Sequence, residues 1–251
     1  MLLAALALGA AGCPASDDDG PFRPGGGGGG GGSNHGGDAR QLDAPGGDGG
    51  GNVNGLICVV TDLRAPDACP VTSTRVGVTV AVTGTSTTTT SGSDGRFTVA
   101  ASSSVAILDV AAQSATLERS TVPVTVSGAL IHAPVVTQTA WEQVLASLGP
   151  VVPDGGGAIV LYVDDTSGSA SDVTFSAVSG SSLAPFYDDG SATSWTQLGG
   201  TGVAGVALFV DVPAGSATLD GAAPDLRVAR LSGVPVVADA ITFVRVRLAP
   251  P

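Results

Sequence analysis

The chain has no lysine, one methionine, three cysteines and two histidines in 251 residues, and only 4% of its residues are aromatic and 13% charged. A globular protein averages about 25% charged. Each shortage excludes something. Ten arginines without a cluster, in a chain of net charge −12, provide no basic face for a nucleic-acid backbone or an anionic lipid surface. No nucleic-acid partner is therefore expected. No apolar run reaches the roughly 18–20 residues a helix needs to cross a bilayer. The hydrolase signatures Gly-x-Ser-x-Gly and His-Glu-x-x-His are missing, so the expectation is a non-enzymatic protein without a cofactor. What the chain has in quantity is glycine, 38 residues of it.

The first twelve residues, MLLAALALGAAG, form a short apolar stretch that ends in small residues, the pattern of an export signal. Ala10-Ala11-Gly12-Cys13 resembles the lipobox of bacterial lipoproteins, in which small residues admit the signal peptidase and the cysteine thiol takes a diacylglycerol. Ala10 stands where leucine is commonest, and no basic residue precedes the apolar stretch; the alternative is an ordinary secretory signal followed by an unrelated cysteine. The resemblance implies a signal peptide over 1–12, lipidation of Cys13 and a membrane partner through that anchor. More than one acyl chain gives stable anchoring. Pro14 follows the cysteine where an aspartate would favour inner-membrane retention, so the expected location is the outer membrane of a Gram-negative cell, on its periplasmic or surface face. Lipidation of Cys13 leaves Cys58 and Cys69, eleven positions apart, for a disulfide that would contribute about 2–3 kcal/mol. Neither histidine is near that pair in the sequence, which argues against a metal pair.

Residues 13–55 hold the tract Gly25 to Gly32 and almost no large apolar side chain. Such a segment cannot bury enough surface to offset its ordering entropy, so it is read as a disordered tether with a reach of roughly 35–40 Å. The glycine tract has no strand before it and no Gly-Lys-Ser/Thr after it, so it is not a phosphate loop. His35 stands alone there.

From Leu56 onward short β-branched runs alternate with Gly, Ser, Asp and Pro, the texture of all-β sandwiches. Strands are expected over 56–60, 76–82, 96–99, 105–110, 122–126 and 130–136, then over 158–163, 172–178, 206–212, 216–219, 226–231 and 241–248. Ser93-Asp94-Gly95 marks a hairpin, and the polar run Thr85 to Thr90 an exposed edge or loop. Trp141, Val144, Leu145 and Leu148 share one face of a short helix, with Thr139 and Glu142 as a capping box. The reading is two small transthyretin/Ig-like β-sandwich modules, 56–137 and 158–251, joined by a helix and connector over 138–157. A faint echo relates the halves: Ala81-Val82-Thr83-Gly84 parallels Ala177-Val178-Ser179-Gly180, and Gly95 and Gly205 each lead a strand.

Gly84, the threonines Thr87 to Thr90 and Asp94-Gly95-Arg96-Phe97 in the first half, with Gly205, Val212-Pro213-Ala214-Gly215 and Thr218 in the second, resemble the carboxypeptidase regulatory-like domains, which are transthyretin-like sandwiches. Each half carries part of the pattern. The resemblance implies a non-catalytic folding, adhesion or binding module on an exported protein.

Gly200-Thr201-Gly202-Val203-Ala204-Gly205 matches the dinucleotide fingerprint by letter, but a strand follows where a helix is required. His132, on an apolar strand, is the one histidine after the tether and the weak candidate for a catalytic base. Asp164-Asp165 and Asp188-Asp189 are placed at loop tips and are candidate Ca²⁺ ligands, against solvated turns. Tyr187 and Trp195, flanking Asp189, are candidate sugar-stacking residues, against core packing. The functional expectation is a lipid-anchored envelope protein with a structural or protein-binding role; the alternative is a glycan-binding lipoprotein, and a hydrolase is a weaker third.

Overall fold

The computed structural model describes residues 40–41, 50–112, 116–149, 155–190 and 194–250. The signal stretch, Cys13, His35, most of the tether and the Pro153-Asp154 boundary lie outside the described residues. No helix among the described residues is long and apolar enough to cross a membrane.

The elements in chain order are β1 (Arg40–Gln41), β2 (Gly51–Val60), β3 (Thr79–Val82), β4 (Thr88–Thr90), β5 (Arg96–Ala101), β6 (Val105–Ala111), β7 (Ser120–Thr125) and β8 (Leu130–Val136). Helix α1 (Gln138–Ser147) follows, then β9 (Gly157–Asp164), β10 (Thr174–Phe175), β11 (Phe186–Asp188), β12 (Trp195–Thr196), β13 (Val206–Val212), β14 (Gly215–Ala222), β15 (Val228–Val236) and β16 (Ile241–Arg247). The fold is all-β, as expected. Folded structure starts inside the segment read as tether, because β2 begins at Gly51 and β1 pairs with Leu231 and Ser232 of β15. Thr88–Thr90 forms the edge strand that its polar, β-branched composition suggests.

Two sandwiches are present, and they share a sheet. A three-stranded sheet, β5-β2-β8, packs on one half of a nine-stranded sheet ordered β12-β11-β13-β9-β16-β7-β6-β3-β4, and a four-stranded sheet, β1-β15-β14-β10, packs on the other half. The seam is β16. On one side it runs parallel to β9 from Ile241↔Ala158 to Arg247↔Asp164; on the other it runs parallel to β7 at Ile241↔Ser120 and Thr242↔Thr121 only. A strand late in the chain thus closes the second sandwich and joins it to the first.

Burial follows coverage. The strand β6 alternates between half-buried and buried residues, as a sheet with one packed face does. In β9 the first seven of eight residues are buried, and in β13 six of seven. Their outer face is covered by a third apolar cluster: Ala140 and Val144 of α1, Val60, Leu63 and Val136 pack on Val160, Tyr162, Val206, Leu208 and Phe243, with Trp141, Leu145 and Leu148 at the margin. The helix is therefore a lid on the second sandwich as well as a connector. Its cap is Thr137, whose hydroxyl accepts from the Ala140 N–H at 3.2 Å, and not Thr139 as the spacing suggests. Because β8 runs to Val136, the first extended residue beyond it takes the capping position and Thr139 falls inside the first turn.

The echo between the halves has a backbone cause. Gly84 and Gly180 have φ +78° and +84°, and Gly95 and Gly205 have φ +78° and +68°, a region that L side chains enter at a cost. The sandwiches also repeat a cross-strand pair: Phe97 lies over Gly55 and Phe175 over Gly221, each directly opposite in register, with the ring where a Cβ would stand.

Candidate functional site

Beyond Thr242 the strands β7 and β16 part, and β8 is the outer strand of its own sheet. Between these three lies a cleft of about 510 Å³, floored by Val122, Val124, Ile131 and Phe243 and edged by Asp67, His132 and Arg245. One wall is the segment after β2, which crosses from the first sandwich to the second as a strap. Cys58 and Cys69 close it with a disulfide, Cα to Cα 4.4 Å. Asp62 shapes its turn, accepting from the Arg64 N–H at 3.0 Å and from the Arg64 guanidinium at 3.0 and 2.7 Å. Those bonds hold the Asp62 carboxyl below its ordinary pKa. Leu63 drops into the third cluster, and its carbonyl accepts from the Tyr162 hydroxyl at 2.8 Å. Burial pushes that phenol far above its usual range.

Asp67 then clasps both sandwiches. Its carboxylate accepts from Arg245 of β16 at 2.8 Å and lies 3.5 Å from Nδ1 of His132 on β8. Arg245 also meets Asp164 at 3.4 Å and stands 5.5 Å over the Tyr162 ring. Burial works against the Arg245 charge, but Asp67 and Asp164 outweigh it and hold the guanidinium above its ordinary pKa. The cleft thus offers an apolar floor, open strand edges and a compact rim of charge, a combination suited to binding an extended chain segment.

The sequence candidates fare differently. The disulfide forms as expected. Distance along the sequence does not carry over to space: parallel pairing of β2 with β8 sets Leu56 opposite His132 and Cys58 opposite Pro134, and brings a ring nitrogen of His132 and both sulfurs within 4.8 Å of one another.

Asp188 does not occupy a solvated loop tip. It is 1% exposed, and its carboxylate accepts from the N–H groups of Gly202, Ala204 and Val206 at 3.0, 3.1 and 2.9 Å. The letters of the dinucleotide fingerprint therefore do describe an anion cradle, and the anion is the protein's own side chain. Gly202 passes so close that a Cβ would meet Asp188. Asp164 is paired with Arg245, Asp165 accepts from Ser167 and Gly168 in a local turn, and Asp189 accepts from Ser194. Among the described residues, no three of these four carboxylates come close enough to share a cation.

Tyr187 is 3% exposed, and its hydroxyl accepts from the Phe175 N–H at 2.8 Å. It is a core residue, and burial, opposed by that bond, raises its phenol pKa. Trp195 packs half-buried against the third cluster, its indole nitrogen enclosed without an acceptor among the described residues. Tyr187 thus has no free ring face for a sugar, and the two aromatics do not form a shared exposed surface.

Asp67 and Arg245 were not read from the sequence. The available signal is a pair of arginines alternating with apolar residues at the end of β16 and two carboxylates inside the disulfide loop, in a chain with few charges to place.

No family model and no curated protein matches the chain. Among solved structures it is similar to the TIE protein of Bacillus anthracis, at 14% identity and TM-score 0.24, over 80% of this chain and 34% of that one, so that it spans about a third of its length. It is also similar to the shaft pilin SpaA of Lactobacillus rhamnosus GG, at 9% identity and TM-score 0.24 over 81% and 99%. The minor pilin of Streptococcus agalactiae stands at 9% and 0.23 over 80% and 97%. Scores this low assign neither a family nor a function.

Proposed function

We propose that this is an exported, lipid-anchored envelope protein with a non-catalytic structural or protein-binding role, exercised through the cleft between its fused sandwiches. The observation that carries the reading is the Cys58–Cys69 disulfide. Such bonds persist in oxidising compartments, and this one leaves Cys13 as the remaining cysteine, at the end of a lipobox-like stretch. The carboxypeptidase regulatory-like resemblance agrees with a binding module. Asp67, His132 and Arg245 would engage the polar backbone of a bound segment, while Val122, Val124 and Phe243 receive its apolar side chains.

The test is metabolic labelling with a palmitate analogue in cells making the wild type or Cys13→Ala. Label on the wild type alone, with the variant moved to the soluble fraction, supports the anchor. An unlabelled wild type overturns it and makes the chain a freely secreted protein.

A further inference from the structure

In the oxidised chain Cys58 and Cys69 are bonded to each other, and His132 stands beside them. The geometry points to a second state: once a dithiol reductant has opened the disulfide, Cys58, Cys69 and His132 form a three-ligand site for a thiophilic d¹⁰ cation such as Zn²⁺. This site is independent of the lipid anchor.

Three segments bring the donors together. Cys58 is on β2, His132 on the adjacent β8, and Cys69 at the far end of the strap. Their donor atoms lie within 4.8 Å of one another. In a tetrahedral site with Zn–S about 2.3 Å and Zn–N about 2.0–2.1 Å, donors sit about 3.5–3.8 Å apart. The histidine must close by roughly 1 Å, and the sulfurs, released from a bond of about 2.0 Å, must part. Cleavage frees the strap for both movements.

The surroundings suit the exchange. Cys69 is half-buried and lines a hollow with Thr61, Asp62, Ala65, Ala68 and Pro70, whereas Cys58 is fully buried. A thiolate of the reductant attacks the Cys69 sulfur and expels Cys58 as thiolate; the reductant's second thiol then displaces Cys69. Two electrons pass to the cysteines, the reductant becomes a disulfide, and two protons make neutral thiols. Zn²⁺ displaces those protons, and two thiolates neutralise its charge, which suits a site that runs from the buried Cys58 to the exposed His132. Asp67, 3.5 Å from Nδ1 of His132, is placed as the carboxylate that orients a metal-bound imidazole. Water fills the fourth position. The ion replaces the covalent bond, so the strap keeps its closure in either redox state.

The experiment uses the full chain carrying Cys13→Ser, reduced with a phosphine and desalted without oxygen, with Co²⁺ as a coloured probe and Zn²⁺ affinity read by chelator competition. One equivalent of Co²⁺ should give thiolate charge-transfer absorption and tetrahedral visible bands that Zn²⁺ abolishes one for one, and the oxidised chain should give none. His132→Ala should weaken Zn²⁺ binding by at least tenfold, Asp67→Asn by about tenfold, and His35→Ala not at all. Circular dichroism of each reduced chain with and without Zn²⁺ reports folding. No tetrahedral cobalt spectrum from the reduced chain, equal affinity in His132→Ala, or a reduced chain that stays unfolded with Zn²⁺ present would each overturn the site.

Discussion

The two sandwiches share a sheet but differ in what covers it. In the first, β6 and β3 alternate between core and half-exposed positions; in the second, β9 and β13 are buried on both faces, because the strap and α1 lie over the side that would otherwise meet water. The contrast teaches that coverage, more than sandwich topology, sets the texture of a strand sequence. Ala158 to Val163 reads as an unbroken apolar run for that reason, while Arg96 to Ala101 alternates cleanly.

The comparison breaks most sharply at Asp188. Alanine there strands three N–H groups, that of Val206 buried and those of Gly202 and Ala204 partly so, with an expected loss of about 3–5 kcal/mol read from the midpoint of urea denaturation. Asp165→Ala, on an exposed turn, should move the same midpoint far less. An Asp188→Ala midpoint close to that of the wild type would mean that the cradle is dispensable.

Next in size is Leu63→Ala, which removes the strap's apolar anchor at an expected cost of about 2–4 kcal/mol. If the strap and the third cluster make the sandwiches one cooperative body, calorimetry will record a single transition for the wild type and a broadened or split one for the variant. A split transition already in the wild type would refute the coupling.

The smallest effect concerns Glu118, beside α1. Burial, then the nearby Glu142, raise its carboxyl pKa. A raised carboxyl favours the folded state at low pH, and that contribution is lost as pH rises through the folded value. Glu118→Gln should therefore gain stability over the wild type between about pH 4 and 7, with the difference widening upward; a constant difference would show that the shift is absent.

Much of this fold is legible in the sequence, and the reasons differ by element. Long strands announce themselves by β-branched runs, and the α1 face by the spacing of Trp141, Val144, Leu145 and Leu148. The short strands β11 and β12 do not, since Phe186-Tyr187-Asp188 and Trp195-Thr196 have too few residues to set a period and read as aromatic loops. The seam at β16 is hidden for another reason: parallel pairing between distant segments leaves no local signal. The same holds for the cleft rim, where Asp67, His132 and Arg245 come from a loop and two strands that only the assembled sheets bring together. For Tyr187 the sequence leaves sugar stacking and core packing both open, because its neighbours are turn-forming residues; the structure decides for the core, where its hydroxyl is occupied.

The parallel pairings also have a mechanical meaning. A tug along β16 away from its start meets seven register pairs with β9 side by side, and β2 is held against β8 by seven more. Such ladders resist by sliding, with all their rungs strained at once, rather than by peeling rung after rung. A molecule pulled along the axis of either strand would hold until the whole ladder slipped, and its rupture force should be far higher in that direction than across the sheet.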